Sequence, residues 1–429
     1  MKLKSLHIDS YRHLENLDFD FTYPEGHARA GQPLEKICII GQSATGKTGI
    51  LELILNESEF LKGVGVVDGK YISQHSSFFN SANTLEFLTK NFNLRLEQNK
   101  IIKGDNTYEY IKEAFSGESE NLIDNEIKLI YLSSEIISKE SIKIFNQNPL
   151  DLLNEISTER QIQLGKKNIS QDYIYEFTQN IDKEIWFSLL YDILNYRKNF
   201  LQMASELINK GVVGDFTNLN NEYSKWSQKN ENPLISFANF FNPILDKLNL
   251  KIAETDTQYP ISIKSKINGE VVPFSSLSTG TKGLLLTTFP LYEIDTTDSV
   301  ILIDEPERSL FPDMQVDLID HYKNLAPDAQ LIVATHSPFI AAAFEPEERF
   351  ILYFDDKGKV KLMKGKSPIG DDPNDILHND FNVDYYNKYG KMAYEKYRNL
   401  KTKILSEENT QAKKELVVEL DQLGDKYNF

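Results

Sequence analysis

Gly41-Gln42-Ser43-Ala44-Thr45-Gly46-Lys47-Thr48 decides the reading of this chain. It is a full G-x-x-x-x-G-K-T match, preceded by the apolar run Lys36-Ile37-Cys38-Ile39-Ile40 and followed by Ile50, Leu51, Leu53 and Ile54 at helical spacing. This context predicts a strand buried on both faces, a turn, and the first turn of a helix. The glycines let the backbone curl so that successive N–H groups face one anion, and the helix N-terminus adds its positive end. Lys47 supplies a cation for β and γ phosphates, and Thr48 a hydroxyl for magnesium. The expected phosphate cradle therefore runs through Gly41, Gln42, Ser43, Ala44, Thr45, Gly46, Lys47 and Thr48 to Gly49.

Upstream of the loop, Leu3 to Ile8 and Leu17 to Phe21 alternate apolar and polar residues, as a half-buried antiparallel ribbon does. Downstream, from about Gln74 to Pro260, the pattern reads as helical periods broken by polar turns, with Trp186, Phe187, Leu189, Leu190, Ile193 and Leu194 as a wide apolar face. Strand character returns from Ile261 to Phe274, where Asn268-Gly269 between alternating runs signals a hairpin. Three apolar runs follow, Val300 to Ile303, Leu331 to Ala334 and Phe350 to Tyr353, with a helical segment from Asp313 to Leu325 between the first two. That alternation predicts an α/β fold with a mostly parallel sheet plus the antiparallel ribbon. The expected organisation is a head split between 1–75 and 261–385, a helical insertion at 76–260 and a helical tail at 386–429.

The partners of the loop lie far along the chain. Val300-Ile301-Leu302-Ile303-Asp304-Glu305 ends a buried run in two carboxylates. Downstream of a phosphate cradle, that pair suits Asp304 for the magnesium shell and Glu305 for orienting or deprotonating an attacking water. The next run ends in Thr335-His336-Ser337-Pro338, where a neutral imidazole can touch the γ-phosphate or the water. Leu277-Ser278-Thr279-Gly280-Thr281-Lys282 precedes another helical run. Alone it reads as an N-cap; in this set, Ser278 and the helix start around Gly280 present donors and a positive end to a γ-phosphate.

In the order phosphate loop, L-S-x-G signature, Asp-Glu, histidine, the chain resembles the ABC-type ATPase heads of the RecF, structural-maintenance-of-chromosomes and OLD families. The resemblance implies ATP and Mg2+, hydrolysis to ADP and phosphate, and a homodimer in which the signature of one protomer caps the ATP held by the other. It also implies two weaker candidates: Gln74 as a magnesium-sensing glutamine rather than a surface residue, and Arg12, in Tyr11-Arg12-His13, as a neighbour of the nucleotide rather than an exposed turn. Glu305-Pro306-Glu307-Arg308-Ser309-Leu310-Phe311-Pro312 resembles the E-P-E-x-x-L-H-P stretch of OLD and bacterial defence ATPases, with Phe311 where they carry histidine. Thr335 to Ile340 and Asp372 to Val383 resemble the same defence ATPases, PtuA of Septu-like systems among them. The middle of the chain carries no such likeness.

Composition narrows the remaining choices. The chain has 429 residues, 40% apolar and 26% charged, as a globular protein of two or three domains does. It has no apolar run long enough for a membrane span, no signal-peptide core at its start and a single cysteine, Cys38, so a cytoplasmic protein without membrane contact is expected. A net charge of −17 argues against indiscriminate nucleic-acid binding. Tyr386 to Lys403 nevertheless carries Lys388, Lys391, Lys396, Arg398, Lys401 and Lys403 against Glu395, which leaves DNA, an acidic partner or plain solvation open. OLD-type proteins carry a Toprim nuclease after the ATPase; too few residues follow His336 for one, so a nuclease is expected on a separate effector protein. Three readings result: an ATPase controlling an effector in anti-phage defence, a RecF-like DNA-maintenance ATPase, and a scaffold holding ATP as a slowly turned-over ligand. Glu305 weighs against the third.

Overall fold

The computed structural model describes every residue except 63, 68–69, 74–82, 98–99, 111–119, 122–127, 156–173, 384–387, 408 and 428–429. The chain opens as the ribbon β1 (Lys2–Tyr11) and β2 (Leu14–Asp20), then enters β3 (Lys36–Gly41) and α1 (Lys47–Lys62). Strands β4 (Val64–Val67), β5 (Lys70–Ser73), β6 (Thr84–Leu88), β7 (Asn93–Glu97), β8 (Lys100–Lys103), β9 (Asn106–Tyr110) and β10 (Glu120–Asn121) follow. With the ribbon they form a nine-stranded sheet, ordered β10-β4-β5-β9-β8-β7-β6-β1-β2. Leu6 pairs with Phe19 and Ile8 with Leu17, so the alternation seen in sequence faces one core.

Next come β11 (Lys128–Leu132), α2 (Lys139–Asn146), α3 (Pro149–Glu155), β12 (Ile174–Phe177), α4 (Lys183–Asn209), α5 (Phe216–Ser227) and α6 (Pro233–Asp246). Strands β13 (Leu250–Ile252), β14 (Ile263–Ser265) and β15 (Val271–Val272) make a small antiparallel sheet, with Gly269 at φ +74° in the expected hairpin turn. The rest comprises α7 (Thr279–Glu293), β16 (Ser299–Asp304), α8 (Pro312–Val316), α9 (Leu318–Leu325), β17 (Gln330–Ala334), α10 (Pro338–Ala341), β18 (Arg349–Phe354), β19 (Val360–Lys364), α11 (Pro373–Asn379), α12 (Lys388–Ser406) and α13 (Thr410–Tyr427).

The second large sheet is ordered β12-β11-β16-β17-β3-β18-β19 and is parallel throughout except for the terminal pair β18–β19. Its apolar runs are explained by burial on two faces. Cys38, Ile40, Ile301, Ile303, Leu331 and Val333 face a core built with α4, α6 and α7. Ile37, Ile39, Val300, Leu302, Ile332 and Ala334 face a second core shared with α1 and the ribbon. Gln330, fully buried, bolts the two sheets together: its side chain accepts from the Leu3 N–H at 2.7 Å and donates to the carbonyls of Leu3 at 3.0 Å and Leu34 at 2.7 Å.

The region expected to be a helical insertion, 76–260, is only partly so. Strands β6 to β9 belong to the nine-stranded sheet, while β11 and β12 extend the parallel sheet beyond β16. The helical part proper is α2 to α6. Trp186, Leu190, Ile193 and Leu194 are indeed buried along α4, where Trp186 meets Phe145 edge-on. Among the described residues no helix is long and apolar enough to cross a membrane.

Candidate functional site

Parallel strands β3, β16 and β17 end at one edge of the sheet, the place where open α/β folds bind ligands. Three motifs meet there because each sits just past a strand end. After β3 the backbone turns through Gly41 (φ +151°), Ala44 (φ +65°) and Gly46 (φ +92°) into α1. A β-carbon at Gly41 would fall 2.2 Å from the Leu352 carbonyl oxygen, so the loop can leave the sheet there only with glycine. Thr45 is buried and donates to the Gln42 carbonyl at 2.8 Å, while Ser43 and Ala44 form the exposed tip.

Lys47 lies across this loop, its ammonium donating to the carbonyls of Gly41 at 3.0 Å and Gln42 at 3.1 Å. Burial lowers its pKa to about 8 against the pull of the Glu305, Asp304 and Glu307 carboxylates. Thr48 donates to Asp304 Oδ1 at 3.0 Å, joining helix and strand end across 256 positions of sequence. Ser134, two residues past β11, also reaches Asp304, donating to Oδ2 at 3.2 Å. Burial pushes Asp304 up to about 6; the Thr48 hydrogen bond opposes the rise and Glu305 adds to it. Two hydroxyls and one carboxylate fit a magnesium ion, which keeps most of its shell as water and phosphate oxygen. Such an ion would hold Asp304 ionised.

Glu305 is at φ +46°, a backbone conformation that costs energy in a non-glycine residue and is common at functional sites. Its N–H continues the ladder to the Ala334 carbonyl at 2.8 Å, just past the strand end. His336 Nε2 stands 3.8 Å from Glu305 Oε1. Burial and the nearby Lys47 ammonium lower the imidazole pKa, which favours a neutral ring at pH 7.

The other expected residues are placed less directly. Ser278 caps α7: its Oγ accepts from the Thr281 N–H at 3.1 Å, which is the plain N-cap reading, and the residue stays exposed. Gly280 packs on the turn after β16, where a β-carbon would fall 2.3 Å from the Ser309 carbonyl. A cleft of about 300 Å³ runs between this helix start and Asp304 and Glu305, walled also by Ser133, Ser134 and Arg308. Arg12, at φ +56° on the tip of the β1–β2 hairpin, pairs with Glu52 at 2.7 Å and rests beside Gly49 on the first turn of α1. Gln74 lies outside the described residues. Phe311 is 74% exposed at the start of α8.

Ser134 and Glu307 escaped the sequence reading. Ser134 follows Lys128-Leu129-Ile130-Tyr131-Leu132, an apolar run of the same kind that drew attention to Asp304, but in a stretch read as helical. In the stretch from Asp372 to Val383, Asp372 caps α11. Asp380 is fully buried, 3.0 Å from the equally buried Arg349, and accepts from the backbone of Lys366 and Ser367. That part of the family likeness therefore has a structural cause, fastening α11 to β18.

Residues 67–341 match the model of the AAA ATPase domain family, and the chain belongs to that family. It is an ATP-binding, ATP-hydrolysing P-loop enzyme with a mixed α/β fold. The match takes in the signature, Asp304, Glu305 and His336, and begins after the phosphate loop. Solved structures similar to the chain include the Smc head domain from Pyrococcus furiosus, bound to the C-terminal domain of ScpA, at 14% identity, covering 85% of this chain and 96% of that one, with a TM-score of 0.39. The SMC head domain from Thermotoga maritima is 11% identical over 86% and 100%, with a TM-score of 0.35. No curated protein matches the chain.

Proposed function

We propose that this ATPase hydrolyses ATP at the edge formed by β3, β16 and β17, and uses the cycle to control a separate effector, a nuclease, in bacterial anti-phage defence. The observation that carries the catalytic part is the contact between Thr48 and Asp304, with Glu305 and His336 beside it. Lys47 and the loop N–H groups hold the β and γ phosphates. Thr48 and Asp304 would hold Mg2+, which would supply charge neutralisation to those phosphates. Glu305 takes the proton of the attacking water as its oxygen bonds the γ-phosphorus and the bond to the bridging oxygen breaks. His336, neutral, orients that water or the γ-phosphate.

Ser278 and Gly280 act on the partner's nucleotide across a two-fold axis, and Arg12 borders the nucleotide from the hairpin tip. Support for the defence role comes from the likeness of Glu305 to Pro312 and Thr335 to Ile340 to defence ATPases. The exposed basic residues of α12, Lys391, Arg398, Lys401 and Lys403, favour a second reading, a RecF-like ATPase that binds DNA and recruits repair proteins.

The catalytic assignment is tested by two substitutions. Glu305→Gln is expected to bind ATP normally and to lose roughly 100-fold in turnover, the scale of a positioned base. Lys47→Ala should instead weaken ATP binding, because it removes the cation from a polyphosphate site. Wild-type turnover in Glu305→Gln would show that the base lies elsewhere.

A further inference from the structure

Glu307 is used by none of these steps, yet its position is unusual. It lies two residues beyond Glu305 in the turn that follows β16, where its carbonyl accepts from the Leu310 N–H at 2.9 Å. Its carboxylate reaches beyond that turn: Oε1 accepts from the backbone N–H of His336 at 2.8 Å, across 29 positions of sequence. Oε2 is buried, and the Thr335 hydroxyl beside the carboxylate is a further donor to it. A carboxylate withdrawn from water is costly, and a surface turn that needed only polarity would not retain it. What it achieves is to tie together by a hydrogen bond two neighbouring strand ends, the end of β16 bearing Glu305 and the end of β17 bearing His336.

The consequence follows from geometry. The His336 imidazole projects from a turn with no helix or strand of its own before α10 begins at Pro338. The turn is held from the far side, where Ser337 donates its side chain to Gln315 at 2.6 Å and its Oγ accepts from the Phe339 N–H at 3.1 Å. On the near side, the Glu307 hydrogen bond fixes the backbone of the histidine itself. Released from it, the ring would swing on its backbone, and its 3.8 Å separation from Glu305 would no longer be set.

We propose that Glu307 is a positioning residue for ATP hydrolysis, clamping the His336 backbone so that the imidazole is held against Glu305 and the reacting phosphate. The proposal rests on the reading that His336 takes part in turnover. Because Glu307 acts through His336, its removal should matter only while the imidazole is present.

The test is a double-substitution cycle on the full-length chain, with ATP affinity measured by equilibrium titration and turnover by phosphate release. Glu307→Ala is expected to lower kcat roughly tenfold or more with ATP affinity unchanged. Glu307→Gln, whose amide oxygen can accept the same N–H, should recover most of that loss; it also serves as the folded control if the alanine variant is unstable. His336→Ala should lower kcat, and adding Glu307→Ala to it should lower kcat no further. Losses that multiply in the double variant, or a Gln variant as slow as the Ala variant, overturn the clamp while leaving the role of His336 intact. Wild-type turnover in His336→Ala overturns that role and the clamp with it.

Discussion

Asp304 shows how a single carboxylate is prepared for a cation. It is almost fully buried at a strand end and receives the Thr48 and Ser134 hydroxyls, yet burial outweighs both and raises its pKa to about 6. Its folded value exceeds its unfolded value, so the stability it contributes is full below about pH 4 and is lost as pH rises through about 6. Replacing it by a neutral isostere should therefore stabilise the protein where the native residue must ionise without a cation. In chelator at pH 7.5, Asp304→Asn is expected to gain on the order of 2 kcal/mol over the wild type, read from denaturant midpoints, with the gain shrinking towards pH 4. ATP turnover should meanwhile be lost. A wild type more stable than the variant at pH 7.5 in chelator would refute the burial account.

Helix α7 carries the signature at its start. Ser278 spends its Oγ on the Thr281 N–H of its own helix, and Gly280 is pressed on the turn after β16. That packing leaves Ser278 itself exposed, so a nucleotide held by a second protomer can reach it. If the site is shared, Ser278→Arg protein mixed with Lys47→Ala protein yields heterodimers with one intact site and one doubly damaged site. Partial recovery of turnover in the mixture is expected, measured against each inactive parent. Proven heterodimers with no recovery count against sharing. The other elements divide by how their burial prints on the sequence. Strands β3, β16, β17 and β18 were legible as apolar runs because both their faces are covered. The run of β11 is of the same kind, but four apolar residues after Lys128 inside a helical stretch do not distinguish strand from buried helix. Strands β6 and β7 alternate, with Leu85 and Phe87, then Leu94 and Leu96, turned to the core, but each run is short; the pairing of β6 with β1 and of β7 with β6 depends on contacts that no local pattern encodes. The same limit hid Ser134 and Glu307, whose importance comes from which strand end lies next to which.

At the scale of the whole molecule, charge decides between partners. The chain carries 64 acidic against 47 basic side chains, so any approach to DNA must rely on a local concentration of positive charge. The described candidate is α12, and it is partly compensated: Lys396 pairs with Glu419 of α13 at 2.7 Å, and the Lys401 ammonium stands over the Tyr397 ring at 4.5 Å. Glu415, Asp421 and Asp425 lie on α13 as well, and Met392, Leu405 and Val418 are exposed on the two helices. Mixed charge with exposed apolar side chains suits a protein partner better than a phosphate backbone. A protein interface with an apolar centre depends weakly on salt, whereas neutralised phosphates make affinity fall steeply as salt rises. Purified from its own operon, the chain is expected to bring an effector protein with it and to bind duplex DNA weakly at both low and moderate salt. Tight DNA binding that collapses between the two salt concentrations, from a chain recovered alone, would replace the effector reading with the DNA-maintenance one.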